Sequence, residues 1–426
     1  MQAMDDTKPS VMVRSRSNRR SWLRDLRRSA WGVAVAVLLF YVAWTLANLG
    51  SGHDVRELIL VGRRFAAQSS ASVVINRTVR SDAHFPYGPG VGYDGQFAYF
   101  IALDPANARY YIDSPAFRYA RIGYPIAARL LAAGQPALVP YAMILVNLLA
   151  LAGGTWALAA WLKRKGVSPW LALVYGLYSG LFVAFRRDLT EPLAYGLVAL
   201  AIYVFHFGGR RRIIWSALCF ALALLTRETV VVFIGIYALS LLFEGARARA
   251  HSWRECVRSS WRRVLVFLTV CAAPYVVWRV FLFVWLGASG INTDLVPQLV
   301  PFGGLLALWP LNAEQSRTVA VVIVPALICA GLGVWALRQR IFAVEVWALL
   351  AHVLVFVVML PELDYVDFGG TGRITTGVVL AALFCVPMFD RLGRRNRWWL
   401  AVCAALWLSV TAASLLLAVA PALRHV

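Results

Sequence analysis

Residues 31–50 read WGVAVAVLLFYVAWTLANLG, twenty positions without a single charge. At about 1.5 Å per residue, a helix of this length covers roughly 30 Å, the thickness of the hydrocarbon core of a bilayer. Before it, Met1–Arg28 is polar and basic, and no small-residue cleavage site follows the apolar run. The stretch is therefore expected to be an uncleaved anchor behind a basic cytoplasmic tail, 1–30, that is disordered in part.

Similar runs recur outward from this anchor to the C-terminus, at 136–162, 168–185, 192–208, 213–226, 229–243, 264–287, 318–337, 341–361, 374–389 and 398–423. The pattern predicts an all-α polytopic membrane protein with about eleven transmembrane helices. It divides into the tail, a first helix over 31–50, an extracytoplasmic loop over 51–135, and a multi-helix transmembrane domain over 136–426. Composition agrees, because 60% of the 426 residues are hydrophobic and 15% charged, against about 45–50% and about 25% in soluble domains. A soluble multidomain enzyme is excluded.

The formal net charge of +21 would suggest nucleic acid in a soluble protein. Its placement says otherwise. With residues 1–30 cytoplasmic, the loops at 163–165, 209–212, 244–263, 338–340 and 390–397 share that side, and together with the tail they hold 26 of the 42 Lys and Arg. Only 6 of the 21 acidic residues lie there. This is the positive-inside pattern, so the excess charge reports topology and no nucleic-acid partner is expected. The six cysteines are scattered without metal-ligand spacing and read as small core residues.

The loop over 51–135 is too polar to span a membrane, yet Val55–Ala67 places Leu58, Ile59, Val61 and Phe65 among charged neighbours. Such amphipathic stretches predict helices lying along the membrane interface. Its centre runs from His84 to Phe97 and is rich in Gly, Pro and aromatic residues, the composition of a structured loop with a task.

Ionisable residues at membrane depth are costly, so each marks a candidate site. They gather at the ends of the spans opposite the cytoplasm: Arg187, Asp188 and Glu191 before Pro192, Arg227 and Glu228, Asp364 and Asp367, and Arg373 after Gly369-Gly-Thr-Gly372. Together with Asp94 they can converge on one pocket suited to a phosphorylated lipid, with guanidinium forks on phosphate oxygens and carboxylates handling protons. Asp94, between Gly92-Tyr93 and Gly95-Gln96-Phe97, is either a carboxylate presented to an acceptor hydroxyl or the cap of a helix over Gln96–Leu103. Asp188 or Thr190 would cap the next span, and Arg187 would pair with Asp188 in a purely structural reading. Arg227–Glu228 either tips a hairpin or forms a buried ion pair. Backbone amides of the loop before Arg373 would suit a phosphate. Arg279 needs a partner, while His206, His352 and Glu345 read as structural. A divalent-metal site built from Asp94, Asp104 and Asp113 is the weaker alternative; no cofactor is expected.

One cytoplasm-first span, a large loop with an early Asp, and many spans with charged ends resemble the GT-C superfamily of integral-membrane glycosyltransferases. The similarity is closest to bacterial membrane proteins of cell-surface glycopolymer formation, at Gly92-Tyr-Asp-Gly-Gln-Phe97 with Asp104-Pro105, Arg187-Asp-Leu-Thr-Glu-Pro192 and Leu225-Thr-Arg-Glu-Thr229. That resemblance implies a GT-C-like fold in a bacterial plasma membrane, with the active site extracytoplasmic. It also implies inverting transfer of a sugar from a polyprenyl-phosphate donor to a glycan or glycoconjugate acceptor of the cell envelope. Asp94 would be the general base, and Arg187, Arg227 and Arg373 the phosphate clamp. Glu191 and Glu228 would orient the clamp or bind sugar hydroxyls, with Tyr93, Gln96, Asp188, Asp364 and Asp367 completing the substrate site. The leaving phosphate is stable as an anion, so Arg charge replaces a metal. The chain departs from the pattern in showing no soluble C-terminal domain, which assigns acceptor recognition to 51–135 and the short loops. A transporter or flippase of a lipid-linked sugar is the competing expectation.

Overall fold

The computed structural model describes residues 29–50, 54–66, 90–248, 253–288, 290, 298–393 and 395–423. The basic tail over 1–28, His53, and the part of the loop that carries His84 lie outside the described residues. Those described form helices, with one isolated antiparallel bridge between Val61 and Gly92.

The helices that place the site are α1 (Ala30–Gly50), α2 (Gly95–Leu103), α3 (Pro115–Tyr119), α4 (Gly123–Leu131), α5 (Val139–Arg164), α6 (Ser179–Arg186), α7 (Glu191–Phe207), α8 (Arg212–Thr226), α9 (Val231–Ala248), α10 (Trp253–Leu286), α11 (Val324–Arg338), α12 (Val344–Val353), α13 (Phe368–Ile374), α14 (Thr376–Arg391) and α15 (Arg395–Leu423). Among the described residues, five helices are long and apolar enough to cross a membrane, or up to eight if each of three bent pairs is one span. This is coarser than the eleven expected. Each expected segment coincides with helix, but Glu228–Phe243 and Val344–Val358 are short, and the 115° bend between α7 and α8 folds two apolar runs against each other. Large apolar side chains stay exposed along the long helices, Val277 and Val284 on α10 among them. Burial in lipid accounts for such faces, and the protein is a multi-pass membrane protein.

Local chemistry sets several helix starts. Pro140 and Pro192 occupy the first turns of α5 and α7, where a missing N–H costs nothing. Asp367 caps α13 by accepting from the Gly370 N–H. The Gly369–Gly372 run is therefore helical, a correction to the phosphate-cradling loop expected before Arg373. Its reason is close packing: a Cβ on Gly180 in α6 would collide with the Gly372 carbonyl, and Tyr178 Oη donates to that same oxygen at 2.9 Å.

Apolar side chains bury themselves in two main clusters. The larger joins α1, α5 through α9, α11, α12 and α14, with Trp161, Tyr175 and Tyr195 fully buried. The second unites Ile59, Val61 and Phe65 with α2, α4, the first turns of α5 and Leu282 of α10. Residues of the 51–135 loop thus build most of a second core, which α5 and α10 complete. Within it the expected amphipathic stretch is broken, with 3₁₀ helix at Val55–Leu58, Leu60 at φ +54°, and one helical turn at Arg63–Ala66. The break lets the chain pair with residues 90–93, where the Tyr93 N–H donates to the Leu60 carbonyl at 3.0 Å and the Arg64 N–H to that of Gly90 at 3.0 Å.

Candidate functional site

Asp94 stands at the start of α2 in helical conformation, and its side chain does not cap the helix. Both carboxylate oxygens are held by arginines instead: Arg118 Nη1 donates to Oδ1 at 3.0 Å and Arg373 Nη2 lies 2.7 Å from Oδ2. The capping alternative is therefore not the one realised. Two glycines make the approach possible. Gly92 has φ +74°, and a Cβ on Gly95 would collide with the Arg187 carbonyl oxygen.

The ion pairs spread from Asp94 in both directions. Arg118, on α3, also binds Asp113 through two parallel hydrogen bonds of 2.6 and 3.0 Å and lies 4.1 Å over the Phe97 ring. Arg373 reaches Glu191 at 3.8 Å, and Glu191 pairs with Arg227 at 2.8 Å. Arg121 holds Glu228 in a two-bond fork, one bond at 3.0 Å. Arg227 and Glu228, adjacent in sequence, thus serve different partners, so the pair neither tips a bare hairpin nor bridges to itself. Glu191 is fully buried and Arg227 nearly so, which makes theirs the pair that water screens least.

Asp94, Arg118, Arg121, Asp188, Glu191, Arg227 and Arg373 line one cleft of about 30 Å³, room for about two waters. A sugar ring enters only if side chains move. Four arginines, Arg118, Arg121, Arg227 and Arg373, meet the carboxylates of Asp94, Asp113, Glu191 and Glu228, and Arg187 stands beside them over the Tyr93 ring. Burial alone would raise the Asp94 carboxyl, but Arg373 and then Arg118 hold it well below the usual carboxylate range. Burial pushes the Tyr93 hydroxyl up to about 12; its ring lies under Arg187 at 4.6 Å and Arg373 at 5.4 Å. For Asp188 burial dominates and carries its acid up to about 8, against a hydrogen bond with Tyr124.

Other expected site residues are placed differently. Gln96 is buried, accepting from the Gly62 N–H at 3.0 Å and donating to the Val91 carbonyl at 2.7 Å. It ties the loop together rather than facing the cleft. Asp367 caps α13. Asp364 lies on the short helix Glu362–Tyr365, where burial raises its carboxyl and Arg373, Arg227 and Arg121 act against that rise. Asp188 is buried beside Tyr124, with Thr190 rather than Asp188 at the cap position of α7. Arg279 donates to Tyr275 Oη at 3.3 Å, and His206 pairs with Glu345 at 2.9 Å. Asp104 engages Asn107 and Asp113 engages Arg118; among the described residues no group of three His, Cys, Asp or Glu could hold a metal.

Comparison with protein-family profiles, with characterised proteins and with solved structures found no match. The functional reading rests on this cleft. Sequence reasoning missed two of its members, Arg118 and Arg121. Their signal was the interleaving in Phe117-Arg-Tyr-Ala-Arg121, which puts both guanidiniums on one face of a helical turn.

Proposed function

We propose that the protein is a membrane glycosyltransferase that moves a sugar from a polyprenyl-phosphate donor to an envelope glycan or glycoconjugate, with Asp94 as general base. The observation that carries this reading is the Asp94 carboxylate, turned away from its own helix and held ionised between Arg118 and Arg373.

A carboxylate so paired is a weak base at rest. The donor changes that. Its phosphate competes for the forks of Arg373 and Arg118, which match phosphate as well as carboxylate, and withdrawing them lets the Asp94 proton affinity rise toward that of an ordinary acid. The acceptor O–H then attacks the anomeric carbon and gives its proton to Asp94 while the bond from that carbon to the phosphate oxygen breaks. The lipid phosphate leaves as an anion stabilised by the same guanidiniums, and the anomeric configuration inverts. Arg227 and Arg121, held by Glu191 and Glu228, line the same cleft and add their charge to the clamp.

The test is sugar transfer by reconstituted protein from a panel of polyprenyl-phosphate sugars without added metal. Turnover in the wild type and its loss in Asp94→Asn supports the reading. Silence across the panel, with lipid-linked sugar crossing the vesicle membrane, would favour transport of the same molecule.

A further inference from the structure

Next to the arginine-held carboxylates stands an acid in the opposite situation. Asp188 is fully buried and sits at φ +48°, a left-handed conformation that Asp and Asn tolerate better than other residues with a side chain. Its Oδ1 lies 3.3 Å from Tyr124 Oη, and its Oδ2 has no hydrogen-bond partner among the described residues.

Counting protons around Tyr124 Oη decides the state of this acid. Three groups surround that oxygen: Asn147 Nδ2 at 2.8 Å, the Met143 carbonyl at 3.1 Å, and Asp188 Oδ1. The Asn147 amide is oriented by the Leu189 carbonyl, 3.3 Å from Nδ2, because a carbonyl faces the NH₂ end of an amide. Asn147 therefore donates to Tyr124. The Met143 carbonyl, at the shorter distance, can only accept, an ionised Asp188 could likewise only accept, and one phenolic proton cannot serve both; with the acid neutral, that proton goes to Met143. Asp188 Oδ1 then faces a phenolic lone pair, and a proton on the acid joins them. An ionised Asp188 would leave one of the three contacts without a proton and keep a buried charge on a single long hydrogen bond.

We propose that Asp188 is a proton-bearing acid whose neutral form locks the turn Arg187–Glu191 to Tyr124 and Asn147, making it a positioning residue for the Glu191 and Arg373 wall of the cleft. Asn147 grips the Leu189 carbonyl inside that turn, Gly95 packs on its Arg187 carbonyl, and Glu191 leaves it to meet Arg227 and Arg373. Burial favours the neutral acid up to about pH 8. Tyr124 faces Asp188 directly, and the cleft it borders holds Asp94, Arg118, Arg121, Glu191, Arg227 and Arg373. Ionisation puts an uncompensated charge in the turn and loosens that wall.

The first test needs no sugar transfer. Infrared difference spectra of the full-length protein in lipid, wild type minus Asp188→Asn, are expected to show a protonated carboxyl band at neutral pH that titrates away near pH 8. Tyr124→Phe, which keeps the ring, is expected to shift that band, and it serves as the difference partner if Asp188→Asn does not fold. Spectra that superimpose in the carboxyl region at neutral pH overturn the proposal. The second test rests on the transferase reading: the alkaline limb of turnover, near pH 8 in the wild type, is expected to move up in Asp188→Asn, whose amide still donates to Tyr124. An alkaline limb that stays in place removes the positioning role. A carboxyl band without transfer from any donor leaves Asp188 as assigned and sinks the transferase.

Discussion

Arg373 Nη2 lies 2.7 Å from Asp94 Oδ2, joining a helix near the end of the chain to the loop that follows the first span. Arg118 grips the other oxygen of the same carboxylate, so the most probing substitution acts on Asp94 itself. Asp94→Asn is expected to insert and fold, because the amide still accepts from one arginine, and to lose transfer by about a hundredfold or more. Turnover from a polyprenyl-phosphate sugar at saturating donor measures it; activity within a few-fold of the wild type would falsify the general-base role.

Removing one of the two arginines changes the acid limit. The depressed Asp94 carboxyl contributes stability that is fully present above the ordinary carboxylate range near 3.8 and is lost as pH falls toward its lower folded value. Arg373→Gln deletes the larger of the two arginine effects. The acid unfolding midpoint in detergent is expected to move to higher pH, and a midpoint identical to that of the wild type contradicts the pairing.

Glu191 and Arg227 are both buried, and their contact at 2.8 Å makes each dependent on the other. Glu191→Ala strands the Arg227 charge and is expected to cost about 3–5 kcal/mol, with a lower thermal midpoint. Glu191→Gln keeps the shape and one acceptor, so its loss should be smaller. Equal midpoints for the two variants would mean that shape, not charge, fixes Arg227.

Gly95→Ala tests how closely the Asp94 loop seats on the turn at Arg187. The added methyl group meets the Arg187 carbonyl, which is backbone and cannot swing aside. Transfer is expected to fall by about tenfold or more, with most of the helical signal retained in circular dichroism. Full activity would show that the loop can back away without consequence.

Much of this architecture is legible in the sequence. Uncharged runs such as 31–50 announce the long helices because no soluble core needs them, and the charges at 187–191, 227–228 and 373 stand out against apolar flanks. Their convergence with Asp94 followed from topology alone. What stayed hidden depended on contacts between distant segments. Arg118 and Arg121 look like ordinary surface residues until Phe97, Phe117, Asp94 and Glu228 fold around them. The Gly369–Gly372 run reads as a loop because glycine disfavours helix; the Asp367 cap starts a helix there, and Gly180 lets it pack close. Gln96 carries a polar label suited to a ligand, yet the broken chain at Leu60–Gly62 claims both ends of its amide.

The two separate apolar cores have a consequence for what can enter. Asp94 and Arg121 flank α2 to α4 of the smaller core, Arg373 and Glu228 lie beside helices of the larger one, α5 runs through both, and the pairs Asp94–Arg373 and Arg121–Glu228 are stitches between the two sides. Parting the two sides exposes two cations and two anions at once. A neutral guest offers nothing in exchange for the undone stitches, whereas an anionic one takes over the arginines it displaces. On the transferase reading, the donor phosphate is a guest whose own charge replaces what these ion pairs would give up.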